Sequence, residues 1–140
     1  MNGWIRARDL GVAFDGTPGP LNALTDVAGI EVGHITLISG TGEHRPGKGP
    51  VRTGVSAVLP LGRAGVGRSC PAGWWSLNGN GEMTGTHWIT ETGSLVGPVM
   101  LTTTACVGPV HRGVLDWINR NRPDLARQWL LPVVAETWDG

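Results

Sequence analysis

Two carboxylates, Glu82 and Glu136, stand among residues suited to holding a small cationic ligand. Glu82 belongs to Asn78-Gly-Asn-Gly-Glu-Met-Thr-Gly85, where alternating glycines let the backbone take φ > 0 and approach another group closely. The Asn78 and Asn80 amides and the successive N–H groups of that loop can face one inward point. Glu136 closes an apolar run beginning at Leu130. An ammonium drawn into a cleft needs a counter-charge, which either carboxylate could supply; each also fits an exposed or salt-bridged position. Trp138, flanked by Glu136 and Asp139, offers either an apolar pocket wall at a strand end or a core side chain. The glycine spacing is GxGxxxG and not the dinucleotide fingerprint, and a structural turn with Asx bonds accounts for the loop equally well.

Other reactive types give weaker patterns. His34, His44, His87 and His111 have no metal-ligand spacing such as HExxH and read as surface or hydrogen-bonding histidines. Cys70 and Cys106 lie far apart with no CxxC and are expected as buried thiols. An N-terminal nucleophile needs a bond that breaks before Ser or Thr, freeing an α-amine to act as base. Among the Gly-Ser/Thr steps, Gly93-Ser94 alone precedes apolar residues, and Gly97-Pro98 interrupts that run at once, so it is a decoy.

The elements that must position these residues follow from pattern. Asp15-Gly-Thr-Pro-Gly-Pro20 packs turn formers densely, so the fold proper is expected after it. Ile30 to Leu37 reads as a short strand, Gly40 to Pro50 as a polar hairpin loop, and Val51 to Leu61 as a strand entering a covered sheet. Gly62 to Gly73 reads as loop. Thr86 to Glu91 suits a short helix ended by Gly93 in the left-handed region. Pro98 to Gly108, uncharged and rich in β-branched residues, is expected as a strand buried at its centre. Pro109 then opens a helix in which Val110, Val114, Trp117 and Ile118 recur at helical spacing, stopped by Pro123. Asp124 to Trp129 fits one more helical turn, and Leu130 to Ala135 a short buried strand. Strands, helix and strand in that order give an α/β or α+β class with helices covering at least one sheet face.

Composition bounds the function. At 140 residues and 40% hydrophobic, the chain can bury one small core, with no internal domain boundary. Glycine and proline, 23 and 10 residues, are interspersed with apolar residues and seven Trp and read as tight turns. Lys+Arg and Asp+Glu balance at 11 each, which leaves little drive toward nucleic acid or anionic lipid. Thr92 to Val110 lacks Asp, Glu, Lys and Arg, but it holds Pro98, Pro109 and five Ser/Thr and does not resemble a membrane span. Arg6, Arg8 and Asp9 interrupt the N-terminus before an apolar signal region could form, so a cytoplasmic location is expected.

Six segments together carry a resemblance. Arg6-Ala-Arg-Asp-Leu-Gly11, Phe14 to Asn22, Thr25-Asp-Val-Ala-Gly-Ile-Glu-Val-Gly-His34, Val51-Arg-Thr-Gly54, Leu77 to Gly85 and Leu131 to Gly140 look like the self-processing L-aminopeptidase/D-esterase/amidase family, which includes beta-peptidyl aminopeptidases. The resemblance implies a four-layer αββα sandwich similar to N-terminal-nucleophile hydrolases. It also implies a precursor more than twice this length that cuts itself before a Ser. That Ser then attacks amide or ester bonds at the N-terminus of small peptides, without metal or other cofactor, in an oligomer of processed pairs. This chain matches the first part of the larger α piece. By the resemblance, the nucleophile, the Ser and Glu that orient it and the oxyanion Tyr and Asn lie beyond Gly140, leaving no catalytic residue here. Glu136 and Trp138 match the stretch before the oxyanion tyrosine, and Asn78 to Gly85 match a glycine-rich loop, so Glu136, Trp138, Asn78, Asn80 and Glu82 are the expected substrate-binding residues. The expected partners are a small peptide or amino-acid amide or ester, the remainder of the α subunit, and the β subunit. The alternative is a non-catalytic remnant that persists as a binding or assembly partner. A sugar-binding module fits less well, since the Trp residues are scattered through expected core strands instead of lining one face.

Overall fold

A computed structural model describes residues 5–126, 128 and 130–138. Its main sheet has four strands in the order β1-β2-β5-β6, formed by β1 (Glu31–Ser39), β2 (Val51–Leu59), β5 (Val99–Thr103) and β6 (Val133–Thr137). β1, β2 and β5 pair antiparallel, whereas β6 runs parallel to β5, a connection that requires a crossover and uses helix α2 (Val107–Asn121). A second sheet pairs the short strands β3 (Ser69–Pro71) and β4 (Ser94–Val96), with helix α1 (Thr86–Thr92) leading into β4. The expected hairpin is present: Ser39 pairs with Val51 around the 40–50 loop.

Alternation along the strands divides the sheet into two faces, each meeting its own cluster. On one face Leu59 and Met100 pack with Val66, Val114, Ile118 and Leu125, so α2 lies over β5 and β6. Val107, Val114 and Ile118 form its buried stripe, and Ile118 and Val134 are essentially sealed from solvent. On the other face Val99 and Val133 meet Ile89 of α1 and Leu95 of β4. Helices therefore cover parts of both faces, and the class is mixed α/β.

Several boundaries move from their sequence expectation. The strand expected over 98–108 ends at Thr103, because Thr104–Cys106 turn into a 3-10 helix and Val107 already belongs to the helical stripe. Helical phase against the core overrides β-propensity there. Its centre is divided: Thr102 is buried at 2% exposure, but its neighbour Leu101, on the opposite face, is 37% exposed. Pro109 is consequently the third helical residue, still among the first four, whose N–H groups have no helical acceptor. The 62–73 loop contains a 3-10 turn and β3. The extra turn after Pro123 is a 3-10 helix, Pro123–Leu125, and Trp129 of that expectation lies outside the described residues. The last strand starts at Val133, three residues later than expected. Both cysteines are half-buried, not buried. Of the described tryptophans none lies in a strand: Trp88 and Trp117 are helical, and Trp74, Trp75 and Trp138 are exposed outside regular elements. The short helix is as expected, Gly93 closing it at φ 64° with its N–H on the Ile89 carbonyl.

The sheet is covered unevenly. Across β1 and the adjoining part of β2, apolar side chains stand in solvent on both faces: Ile35 and Leu37 on one, Val32 and Ile38 on the other, with Ile38 68% exposed. The second face forms an open groove bordered by His34, Thr36, Ile38, Arg52, Ser56 and Leu101. In it the His34 ring bonds the Ser56 hydroxyl at 2.6 Å and the Thr36 hydroxyl at 2.9 Å. The accessible surface is 10322 Å² for 14.7 kDa, against about 6,900 Å² expected for a compact monomer of that mass.

Candidate functional site

The loop that carries Glu82 is stitched to the free edge of β6. Met83 bridges Ala135 antiparallel, the Thr84 N–H donates to the Val134 carbonyl at 3.0 Å, and the Glu136 N–H donates to the Glu82 carbonyl at 2.8 Å. Thr84 tightens the seam further, its hydroxyl donating to the Pro132 carbonyl at 2.6 Å and accepting the Val134 N–H at 2.9 Å. These contacts satisfy the edge strand's backbone groups, so the loop is fixed in register with β6.

Gly85 explains why the segment needs glycine where it meets α1. Its φ is +75°, and an added Cβ would lie 3.0 Å from the Leu131 carbonyl oxygen and 3.1 Å from that of Pro132. Gly85→Ala is expected to lower stability by about 1–2 kcal/mol, from left-handed strain and the close carbonyls. The measurement is the urea midpoint of the protein carrying this segment, at unchanged m.

Stitching brings the main chain of Glu82 against the side chain of Glu136. The Glu82 N–H donates to Glu136 Oε2 at 3.0 Å, and the Thr104 hydroxyl, just past the end of β5, donates to Oε1 at 2.5 Å. Each carboxylate oxygen thus has one donor fixed by a different element, and the group stands at the carboxyl ends of the two parallel strands, where open α/β sheets place ligands. The Thr104 hydroxyl first, and then the Glu82 N–H, hold the Glu136 carboxyl below the usual carboxylate range, outweighing the opposing effect of desolvation. Contacts to a carboxylate whose folded pKa is depressed stabilise the fold above its unfolded pKa, and this contribution is lost as pH falls through the folded value. Glu136 is half-buried, so a ligand cation can reach a charge that is already ionised and oriented.

The other expected site residues have different placements. Glu82 contributes its backbone, and its side chain is exposed. Asn78 and Asn80 form an Asx turn, with Asn78 Oδ1 accepting the Asn80 N–H at 2.9 Å, on the exposed stretch leading to the stitched segment. Trp138 follows β6 with 84% of its surface exposed, two residues beyond Glu136. Thr104 was not singled out from sequence because its Thr-Thr-Thr run reads as strand. The available signal was the break in helical phase at Val107, which forces the strand to end near 103. The Gly93-Ser94 step serves as a helix stop, Ser94 Oγ lying 3.0 Å from Thr92 Oγ1. Among the described residues no group of three His, Cys, Asp or Glu side chains is placed to hold a metal ion, and no helix is long and apolar enough to cross a membrane.

Comparison with known proteins bears on the family and the fold. The model of peptidase family S58 matches residues 22–140. The chain is 54% identical over 135 residues to beta-peptidyl aminopeptidase BapA of Sphingosinicella xenopeptidilytica, a match covering 96% of this chain and 33% of that protein. Among solved structures, it is 45% identical to the L-aminopeptidase D-Ala-esterase/amidase of Ochrobactrum anthropi, with a TM-score of 0.81 over 98% of this chain and 39% of that one. That enzyme is described as a prototype for the serine aminopeptidases and a new variant among the Ntn hydrolase fold. A Burkholderia sp. beta-aminopeptidase is 42% identical, with a TM-score of 0.79 over 96% of this chain and 37% of that one. The chain therefore spans a third of the length of the curated relatives it matches. Its mixed α/β fold corresponds to part of the Ntn hydrolase architecture, and the chain belongs to peptidase family S58.

Proposed function

We propose that residues 1–140 form the N-terminal portion of a single self-processing serine-type aminopeptidase domain, supplying the wall of the substrate pocket while the nucleophile is supplied by sequence outside it. The observation that carries this reading is the Glu136 carboxylate, oriented through both oxygens at the ends of the parallel strands. An aminopeptidase must recognise a free α-ammonium, and an ionised, pre-positioned carboxylate is the chemistry for it. Trp138 supplies an apolar wall beside that charge, and the loop from Asn78 through Glu82 borders the approach. The substrate class is small peptides, amino-acid amides and esters with an unblocked N-terminus.

Attack on the scissile carbonyl comes from a serine freed by self-cleavage, and this chain contributes binding energy and orientation instead of a covalent step. Exposed apolar faces on β1 and a surface well above that of a compact monomer support a further packed layer, with the remainder of the α piece, the β piece and an oligomer as partners. The test is hydrolysis of an aminoacyl p-nitroanilide by the full-length protein, against the same anilide N-acetylated. Turnover of the free amine with loss of at least about tenfold in kcat/KM on acetylation is expected. Equal turnover of both would exclude recognition of the amine. No turnover of either by a fully processed protein would favour a non-catalytic binding role.

A further inference from the structure

We infer that Thr104 is a positioning residue for the substrate amine, acting through Glu136 and without touching substrate itself; this rests on the ammonium reading of Glu136. The argument is one of degrees of freedom. A glutamate at the end of a strand has three rotatable bonds, and ordering such a side chain on binding reduces affinity. Here Oε2 is tied to the Glu82 N–H and Oε1 to the Thr104 hydroxyl, from the β6-edge loop and from the turn after β5 respectively. With one donor the carboxylate can still rotate about it; with two on different oxygens its plane is fixed. Each oxygen keeps lone-pair capacity for a further donor, so the same two contacts leave room for an ammonium.

Thr104 is set where it is by the parallel register of β5 and β6, which pairs Thr102 with Glu136 and Thr103 with Thr137, and by the 3-10 turn that begins at Thr104 itself. The Thr102 hydroxyl is committed to the Gly54 carbonyl at 3.1 Å, so neighbouring threonines divide the work: Thr102 ties strands together, and Thr104 orients the acid. The ionisable side chain nearest in the stitched loop, Glu82, is exposed and bonds Glu136 through its backbone.

The experiment compares Thr104→Val, Thr104→Ser and Glu136→Gln in the full-length protein on a free-amine aminoacyl anilide. Thr104→Val is expected to raise KM about 3- to 10-fold, the effect of one hydrogen bond, with kcat within about twofold. The acid limb of its kcat/KM profile should move to higher pH, because the carboxylate loses a donor that favours its charged form. Thr104→Ser, which keeps the hydroxyl, should restore both. An unchanged KM and acid limb in Thr104→Val, with Glu136→Gln impaired, would overturn the role of Thr104 and leave the reading of Glu136 standing. Equal impairment in the Ser and Val variants would also overturn it, since the hydroxyl would not be the agent. An unchanged KM in Glu136→Gln would remove the ammonium reading first, and this inference with it.

Discussion

Glu136→Gln in the full-length protein is expected to raise KM for free-amine substrates about 10- to 100-fold, hydrogen bonds to charged groups being the strong class. The substitution is nearly isosteric and preserves an oxygen for one of the two donors, so the fold around β6 should survive. What it removes is the charge, and with it the pairing to an ammonium. Because this interaction exists in the ground state as well as the transition state, most of the effect should fall on KM and less on kcat. An esterase substrate whose amine is acetylated should be insensitive to the change. The depressed carboxyl of Glu136 fixes the direction of the pH effect: substrate affinity is retained through neutral pH and lost on acidification below the ordinary carboxylate range. A KM that Glu136→Gln leaves untouched would place the amine elsewhere.

The 140 residues produced alone are expected to self-associate and to bind a hydrophobic dye, with no aminopeptidase turnover. Their surface exceeds that of a compact monomer of this mass by about 3,400 Å², roughly four times the area of about 800 Å² that one partner contributes to a standard protein–protein interface. Exposed apolar residues include seven between Ile5 and Val27, and on β1 Val32, Ile35, Leu37 and Ile38 leave both faces of an edge hairpin uncovered. Such a patch is covered by another body or aggregates. Light scattering after size exclusion should report species larger than 14.7 kDa. Addition of the remaining polypeptide during refolding should reduce dye binding and restore turnover. A monodisperse monomer with a sharp thermal transition would mean that the segment closes its own core.

The two predictions draw on different parts of the chain, and the sequence disclosed them unequally. Elements governed by local rules were legible: the β1–β2 hairpin from alternation around a polar loop, α1 from the glycine that stops it, and α2 from the spacing of Val114 and Ile118. The strand over 98–108 was misjudged in length because β-branched composition reports a local preference, whereas its end is set by where Val107 must point to join a core assembled from distant residues. Likewise, tryptophans expected in core strands turned out to lie in helices and exposed segments, since bulk and apolarity do not by themselves specify burial.

Residue types and motif order therefore determined the family, the mixed α/β class and Glu82 and Glu136 together as the carboxylates to examine. Tertiary structure decided what Glu136 does with its two oxygens. Thr104 and Glu82 lie 32 and 54 positions away along the chain. They converge on Glu136 because β6 pairs in parallel with β5 on one side and is stitched to the glycine-rich loop on the other. Local sequence encodes which conformations a segment prefers; the meeting of three segments at one carboxylate is a property of strand register, which only the packed sheet defines.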